Sequence, residues 1–144
     1  MRGVLSDPKA KWREFLAAEF HFHGAGIFYP RRAIRDARFK LIHNLRAGKV
    51  KPPRGIDGDN AAAKSATDAP ADARKAFLTY SDPPEFELYD LAADPVEFRN
   101  VYGTGAHPGA EERLKKALAA WRKETGDPAL DPAFVEMLAN RKPG

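Results

Sequence analysis

Apolar positions change their spacing along the chain, which predicts a mixture of helices and strands. Residues 7–18 place apolar side chains at helical intervals behind Asp7 and Pro8, a pair typical of a helix start, so a helix is predicted there. Residues 19–45 are β-rich, with stretches that alternate with a period of two. This pattern predicts strands that include an antiparallel hairpin turning at 35–38.

The second half of the chain begins with a loop and ends in helices. Residues 46–84 are rich in Pro and Gly and are predicted to form a long loop that contains one short helix at about 71–80. Residues 85–128 start with an alternating run that predicts a strand and continue into the clearest amphipathic helix, at about 110–125. The tail, 129–144, is predicted to add a short helix. At 144 residues, these segments indicate one α+β domain.

The run EFHFH at residues 19–23 is the most informative chemical pattern. Its alternation directs Phe20 and Phe22 toward a core. The opposite face then carries three titratable side chains, Glu19, His21 and His23. Such a set can coordinate a cation, bind an anion or transfer protons, and it also fits an exposed polar strand face. No third protein ligand is evident nearby, which disfavours a metal site.

Charge and composition exclude several classes of protein. The chain has 24 basic and 20 acidic residues, and the resulting net charge of +4 is too small for a typical nucleic-acid binder. No apolar stretch approaches the ~18 residues of a membrane span, and the N-terminus lacks the apolar region of a signal peptide. Because the chain contains no cysteine, disulfides, thiolate metal sites and a cysteine nucleophile are excluded.

Arginines concentrate around the predicted hairpin. Guanidinium groups bind sulfate, phosphate and carboxylate in a bidentate manner. The four residues concerned are Arg31, Arg32, Arg35 and Arg38. Strand alternation divides them between two faces, so anion recognition and solvated strand ends are both compatible with the pattern. No Walker loop, dinucleotide fingerprint or nucleophile elbow occurs in the chain.

Three sequence blocks resemble the type I sulfatase family. Residues 29–44, YPRRAIRDARFKLIHN, are similar to its P-x-R…(Y/F)-K-(L/Y)-I hairpin, and residues 87–100, ELYDLAADPVEFRN, match its E-L-Y-D-L-x-x-D-P-x-E-x-x-N block. Val101 stands where the family usually has leucine. Residues 121–128, WRKETGDP, and the HNL at 43–45 resemble the N-sulfoglucosamine sulfohydrolase (heparan N-sulfatase) branch.

The resemblance implies the small C-terminal subdomain of a sulfatase. That subdomain is an antiparallel sheet of about four strands packed by a C-terminal amphipathic helix, here with a long Pro/Gly-rich loop. The family's nucleophile is a formylglycine made within (C/S)-x-P-x-R in a large N-terminal domain that also binds Ca²⁺. Residues 6–10 and 81–85 lack the arginine of that motif. We therefore expect no cofactor and no catalytic or metal residue in this chain, which would be inactive without the N-terminal domain as its partner.

The resemblance also implies which residues contact the substrate. A histidine pair precedes the Tyr-Tyr-Pro run of the N-sulfatase branch, and His23 matches its second member by position. His23 is therefore expected to contact the sulfated carbohydrate, together with His21, Glu19 and Arg31. The expected function is to support a sulfatase that hydrolyses sulfate esters or sulfamates and to contact its substrate. The alternative is a stand-alone binding module for sulfated or anionic sugars. The family is often periplasmic, secreted or lysosomal, which leaves the location of this chain open.

Overall fold

The structure, a computed structural model, describes residues 13–21, 28–52 and 68–141. These described residues form four strands, namely β1 (Leu16–Phe20), β2 (Arg31–Arg35), β3 (Phe39–Asn44) and β4 (Phe86–Asp90). The same described residues also form three α-helices and one 3₁₀ turn, namely α1 (Ala71–Ser81), α2 (Pro108–Glu124), the 3₁₀ turn (Pro128–Leu130) and α3 (Pro132–Ala139). The expected hairpin, the strand of the ELYDL block and the helices near 71–80 and 110–125 all form within a few residues of their predicted bounds.

The four strands form one antiparallel sheet in the order β1-β2-β3-β4. Asp36 shapes the turn between β2 and β3, because its Oδ1 accepts the backbone N–H groups of Arg38 and Phe39 at 2.7 and 2.6 Å. Together with the packed helix, this sheet confirms the expected α+β fold.

The main core lies between the sheet and α2. Ile34 pairs with Leu41, which in turn pairs with Leu88, so these three side chains share one face of the sheet. Leu114 and Leu118 of α2 pack against them, and all five side chains are almost completely buried. The apolar stripe predicted for this helix is therefore what attaches it to the sheet.

The other face of the sheet carries α1 and buries Asn44, Glu87 and Tyr89 of β3 and β4. α1 lies over it, yet none of its eleven residues is buried, and Leu78 is 67% exposed. A groove of about 510 Å³ separates the helix from the strands. Among the described residues, no helix combines the length and the apolarity needed to cross a membrane.

The first strand differs from what the local pattern predicted. A helix was expected over residues 7–18, but Leu16–Ala18 belong to β1, and residues 7–12 lie outside the described part of the chain. Pairing with the whole length of β2 overrides the weak helical spacing. The expected inward orientation of Phe20 is also wrong, since its side chain is 39% exposed. Register explains this outcome, because Glu19, not Phe20, lies opposite the buried Arg32.

Candidate functional site

Glu19 and His21 meet at the end of the edge strand β1, as their alternation predicted. His21 Nε2 lies 3.6 Å from Glu19 Oε2, and the two side chains are 35% and 52% exposed. The imidazole ring of His21 stacks on the ring of Phe28, with 6.4 Å between ring centroids. We call this pair the Glu19–His21 corner. It offers solvent an acceptor and an imidazole side by side.

A buried arginine lies directly beneath the corner. Arg32 is opposite Glu19 in the β1–β2 register, and its Nε is 3.7 Å from Glu19 Oε2. Its side chain is 0% exposed, and its Nη1 donates to the carbonyl of Arg31 at 2.9 Å. The exposed carboxylate of Glu19 therefore lies between a histidine and a guanidinium group that water does not reach.

Asp127 holds this guanidinium group in place. Its two carboxylate oxygens accept Arg32 Nε at 2.9 Å and Nη2 at 2.7 Å, a bidentate pair that joins residues 95 positions apart. Arg122, in the last turn of α2, donates its Nε to the same carboxylate at 2.6 Å and its Nη2 to the carbonyl of Ala129 at 2.8 Å. We call Arg32, Asp127 and Arg122 the buried network. It ties β2, the end of α2 and the 3₁₀ turn into one unit.

Asp127 also caps the 3₁₀ turn, because its Oδ1 accepts the N–H of Ala129 at 3.0 Å. Burial by itself raises the pKa of this carboxyl, but the hydrogen bonds from Arg32 and Arg122 outweigh burial and hold the pKa far below its usual value. Asp127 is thus ionised at any ordinary pH. Two guanidinium groups share this one carboxylate, so the network keeps a positive charge that the partly exposed Glu19 faces at 3.7 Å.

The other predicted contact residues do not join the corner. Arg31 lies on the opposite face of β2, where its guanidinium carbon is 5.0 Å from the centre of the Tyr29 ring. Its buried Nε has no hydrogen-bond partner in the structure as described. His23 lies outside the described residues.

Sequence reasoning missed Asp127 and Arg122. The available signal was the Gly-Asp-Pro that ends α2: Gly126 has a φ of +64°, as a residue after a helix end often does, and Asp127 then begins the next turn. This signal indicates a cap, but nothing local connects it to a strand 95 residues earlier.

A second histidine lies in the same row of the sheet. His43 is opposite Arg32 in the register, and its ring stacks on Phe86 with 4.3 Å between centroids. Burial lowers the pKa of His43, and the positive charge of Arg122 lowers it further, against the opposing effect of Glu85. His43 is therefore a neutral neighbour of the buried network and not a second cation.

The donor set does not suit a metal ion. Within residues 13–21, 28–52 and 68–141, no three or more histidine or carboxylate side chains converge in a way that could hold one. The carboxylates of the corner and the network are engaged with arginine and histidine.

Comparison with known proteins finds two sulfatases that resemble this chain. Human N-sulphoglucosamine sulphohydrolase is 30% identical over 139 residues, covering 89% of this chain and 27% of the human protein. The ulvan-active sulfatase of Formosa agariphila is 30% identical over 99 residues, covering 69% of this chain and 18% of that protein. This chain is therefore related to sulfatases along most of its own length. It spans about a quarter or less of the length of these two sulfatases, and no family model matches it.

Solved sulfatase structures share the fold. BT1596, a 2-O GAG sulfatase, superposes with a TM-score of 0.55 and 17% identity, covering 99% of this chain and 23% of that one. BT4656, solved in complex with its substrate D-glucosamine-2-N,6-O-disulfate, gives a TM-score of 0.51 and 21% identity over 83% of this chain and 18% of that one. The four-stranded sheet and its packed helix therefore recur as a small part of much longer sulfatases.

Proposed function

We propose that this chain acts as the C-terminal part of a carbohydrate sulfatase, where it supports the catalytic portion and contacts the sulfated sugar. The relatives that carry this proposal are named for N-sulphoglucosamine, ulvan and GAG substrates, all of them carbohydrates. The observation on this chain that supports it is the Glu19–His21 corner. At this corner, the carboxylate of Glu19 and the imidazole of His21 are both accessible to solvent and lie above the positively charged buried network.

The corner offers the two kinds of hydrogen bond that a sulfated sugar needs. The carboxylate of Glu19 accepts hydrogen bonds from sugar hydroxyl groups, whereas an imidazole N–H of His21 donates to a sulfate or sulfamate oxygen. The buried network keeps both side chains in position without occupying their exposed sides. His23, two residues further along the chain, completes the proposed contact set.

The nucleophile belongs to another part of the enzyme in this proposal. The chain has three serines and no cysteine, and none of the serines begins the (S)-x-P-x-R pattern from which the family makes formylglycine. The catalytic portion would supply the formylglycine and the Ca²⁺. This chain would select and orient the sugar and would stabilise the position of the bound substrate.

The test is direct binding of a sulfated sugar to the 144-residue chain. Backbone amide NMR shifts are followed while D-glucosamine-2-N,6-O-disulfate is added, in wild type, in Glu19→Ala and in His21→Ala. We expect shifts concentrated at residues 17–21 and 31–33. Each substitution should weaken binding by roughly three- to tenfold, the effect of one partly exposed polar contact.

Asp72→Ala is the matched control. Asp72 is 54% exposed and paired with an arginine, much as Glu19 is 52% exposed, but it lies on α1 at the other face of the sheet. This variant should bind as wild type does. Saturable shifts that lie elsewhere and are unaffected by Glu19→Ala and His21→Ala would overturn the assignment of the corner.

A further inference from the structure

Arginines from three segments meet at the end of the sheet that carries the β2–β3 turn, away from the corner. They surround an open groove of about 710 Å³. Its lining comprises Arg13, Glu14, Leu16, Arg35, Asp36, Ala37, Arg38, Phe39 and Arg113. We call it the arginine groove. Arg13 precedes β1 and Arg113 belongs to α2. The group therefore includes arginines from outside the hairpin, whose positions the alternation of the hairpin strands does not determine.

Two of the guanidinium groups are held in place from behind. Arg38 binds the carboxylate of Asp90 through Nε at 3.1 Å and Nη2 at 2.7 Å, and Arg113 Nη2 lies 2.6 Å from Asp36 Oδ2. Asp36 is itself fixed by two backbone N–H groups of the turn. A guanidinium group has five N–H donors, so each arginine keeps several for a ligand while its orientation is already set.

The groove keeps an excess of positive charge after these pairs are counted. Its lining includes four arginines and two carboxylates, those of Glu14 and Asp36. Asp90, which pairs with Arg38 outside the lining, offsets one further positive charge. Arg38 and Arg113 remain 57% and 43% exposed, and Arg35 uses Nε on the carbonyl of Asp36 at 3.1 Å. An oxyanion that enters the groove therefore finds exposed guanidinium donors in a net positive field.

We propose that the arginine groove is a second anion-binding subsite, which takes a sulfate group on a distant unit of a sulfated sugar chain. Leu16, which lines the groove, and Glu19, which forms the corner, are three residues apart on the edge strand β1, about 10 Å along an extended strand, with their side chains on opposite faces. One chain of sugars that passes around this edge of the sheet can span that distance. The choice of a sulfated sugar among oxyanion ligands rests on the proposed function, whereas the choice of an anion rests on the groove alone.

The experiment measures binding of a fluorescently labelled, fully sulfated heparin tetrasaccharide to the 144-residue chain by anisotropy at two salt concentrations. The double variant Arg35→Gln/Arg113→Gln should bind roughly tenfold more weakly than wild type, and the difference should shrink at high salt. Arg35→Gln alone is included because it removes only a bond to a backbone carbonyl, so it leaves Asp36 paired. It should lose roughly threefold. Thermal unfolding confirms that each variant is folded.

The control is Arg74→Gln/Arg99→Gln, which removes the same charge and one exposed ion pair, that of Arg99 with Asp72, from outside the groove. It should bind within twofold of wild type. Equal weakening by the control, or none by the groove variants, would overturn the subsite. Equally tight binding of single-stranded DNA of matched charge would also overturn it, because the groove would then bind any polyanion and not a sulfated sugar in particular. These outcomes leave the monosaccharide titration of the corner intact, so failure here is distinguishable from failure of the proposed function.

Discussion

Removing the carboxylate of Asp127 should destabilise the fold far more than removing a comparable cap. In Asp127→Ala, two guanidinium groups lose their shared partner and Ala129 loses its N-terminal cap. Arg32 is 0% exposed, so water cannot replace the lost bonds. Breaking a buried ion pair costs about 3–5 kcal/mol, and a lost cap adds about 1 kcal/mol. We expect a decrease of about 4–6 kcal/mol in the free energy of unfolding.

Asp131→Ala is the matched comparison. Asp131 also caps a helix by accepting an N–H, that of Ala133 at 2.8 Å, but its bond is exposed and no arginine shares it. Its loss should cost only about 1 kcal/mol. Urea unfolding followed by circular dichroism measures both values. If Asp127→Ala abolishes folding, Asp127→Asn, which keeps the cap oxygen, provides a measurable intermediate. A value for either Asp127 variant within error of Asp131→Ala would refute the reasoning.

The same network predicts a dependence on pH. The pKa of Asp127 is lower in the folded chain than its ordinary value of 3.8, so folding favours the ionised carboxylate. The stabilisation is fully present above pH 3.8 and is lost as the pH falls toward the lowered pKa. The stability difference between wild type and Asp127→Asn should therefore stay constant from neutral pH to about 5 and shrink under acid. A difference that grows under acid would contradict this sign.

Three further predictions concern the core, a helix end and the second histidine. Leu114→Ala should cost about 2–5 kcal/mol in urea unfolding because Leu114 is fully buried, whereas Leu78→Ala, at a 67% exposed site, should stay within about 0.5 kcal/mol. Gly126→Ala should destabilise the fold by about 1–2 kcal/mol because φ at Gly126 is +64°. Gly109→Ala, in a helix with open space around it, should stabilise the fold by about 0.4–1 kcal/mol. Thermal unfolding measures both, and a stabilising Gly126→Ala or a destabilising Gly109→Ala would contradict the backbone argument. The ring resonances of His43 should titrate in NMR with a midpoint below 6.5. The free energy of unfolding should therefore fall as the pH drops from 6.5 toward that midpoint. A midpoint above 6.5 would be inconsistent with the burial of His43.

Local patterns were sufficient for the elements that bury a periodic apolar face. The hairpin, β4 and α2 each carry an alternation or a stripe that the sheet core then uses, so their existence followed from the residues. β1 was the exception. It is an edge strand whose buried partners lie on β2, and residues 16–18 lack a strand pattern of their own, so pairing decided its structure.

In the candidate site too, local patterns predicted some features and long-range packing determined the others. Alternation alone placed Glu19 and His21 on one face, because that inference needs only the two-residue period of a strand. The choice between Arg31 and Arg32 depends on the register between β1 and β2, where a shift of one residue exchanges the two faces. The partners of Arg32 and the grouping of Arg113 with Arg38 depend on packing of α2, which no sequence window contains.

The most direct test of the central claim is sulfate release from D-glucosamine-2-N,6-O-disulfate by the purified 144-residue chain, with its fold verified by circular dichroism and Ca²⁺ supplied. A chain that supports a sulfatase and contacts the sugar without providing the nucleophile should bind this compound at the Glu19–His21 corner and release no sulfate above the protein-free rate. Sulfate release that rises with protein concentration and disappears on heat inactivation would contradict the account.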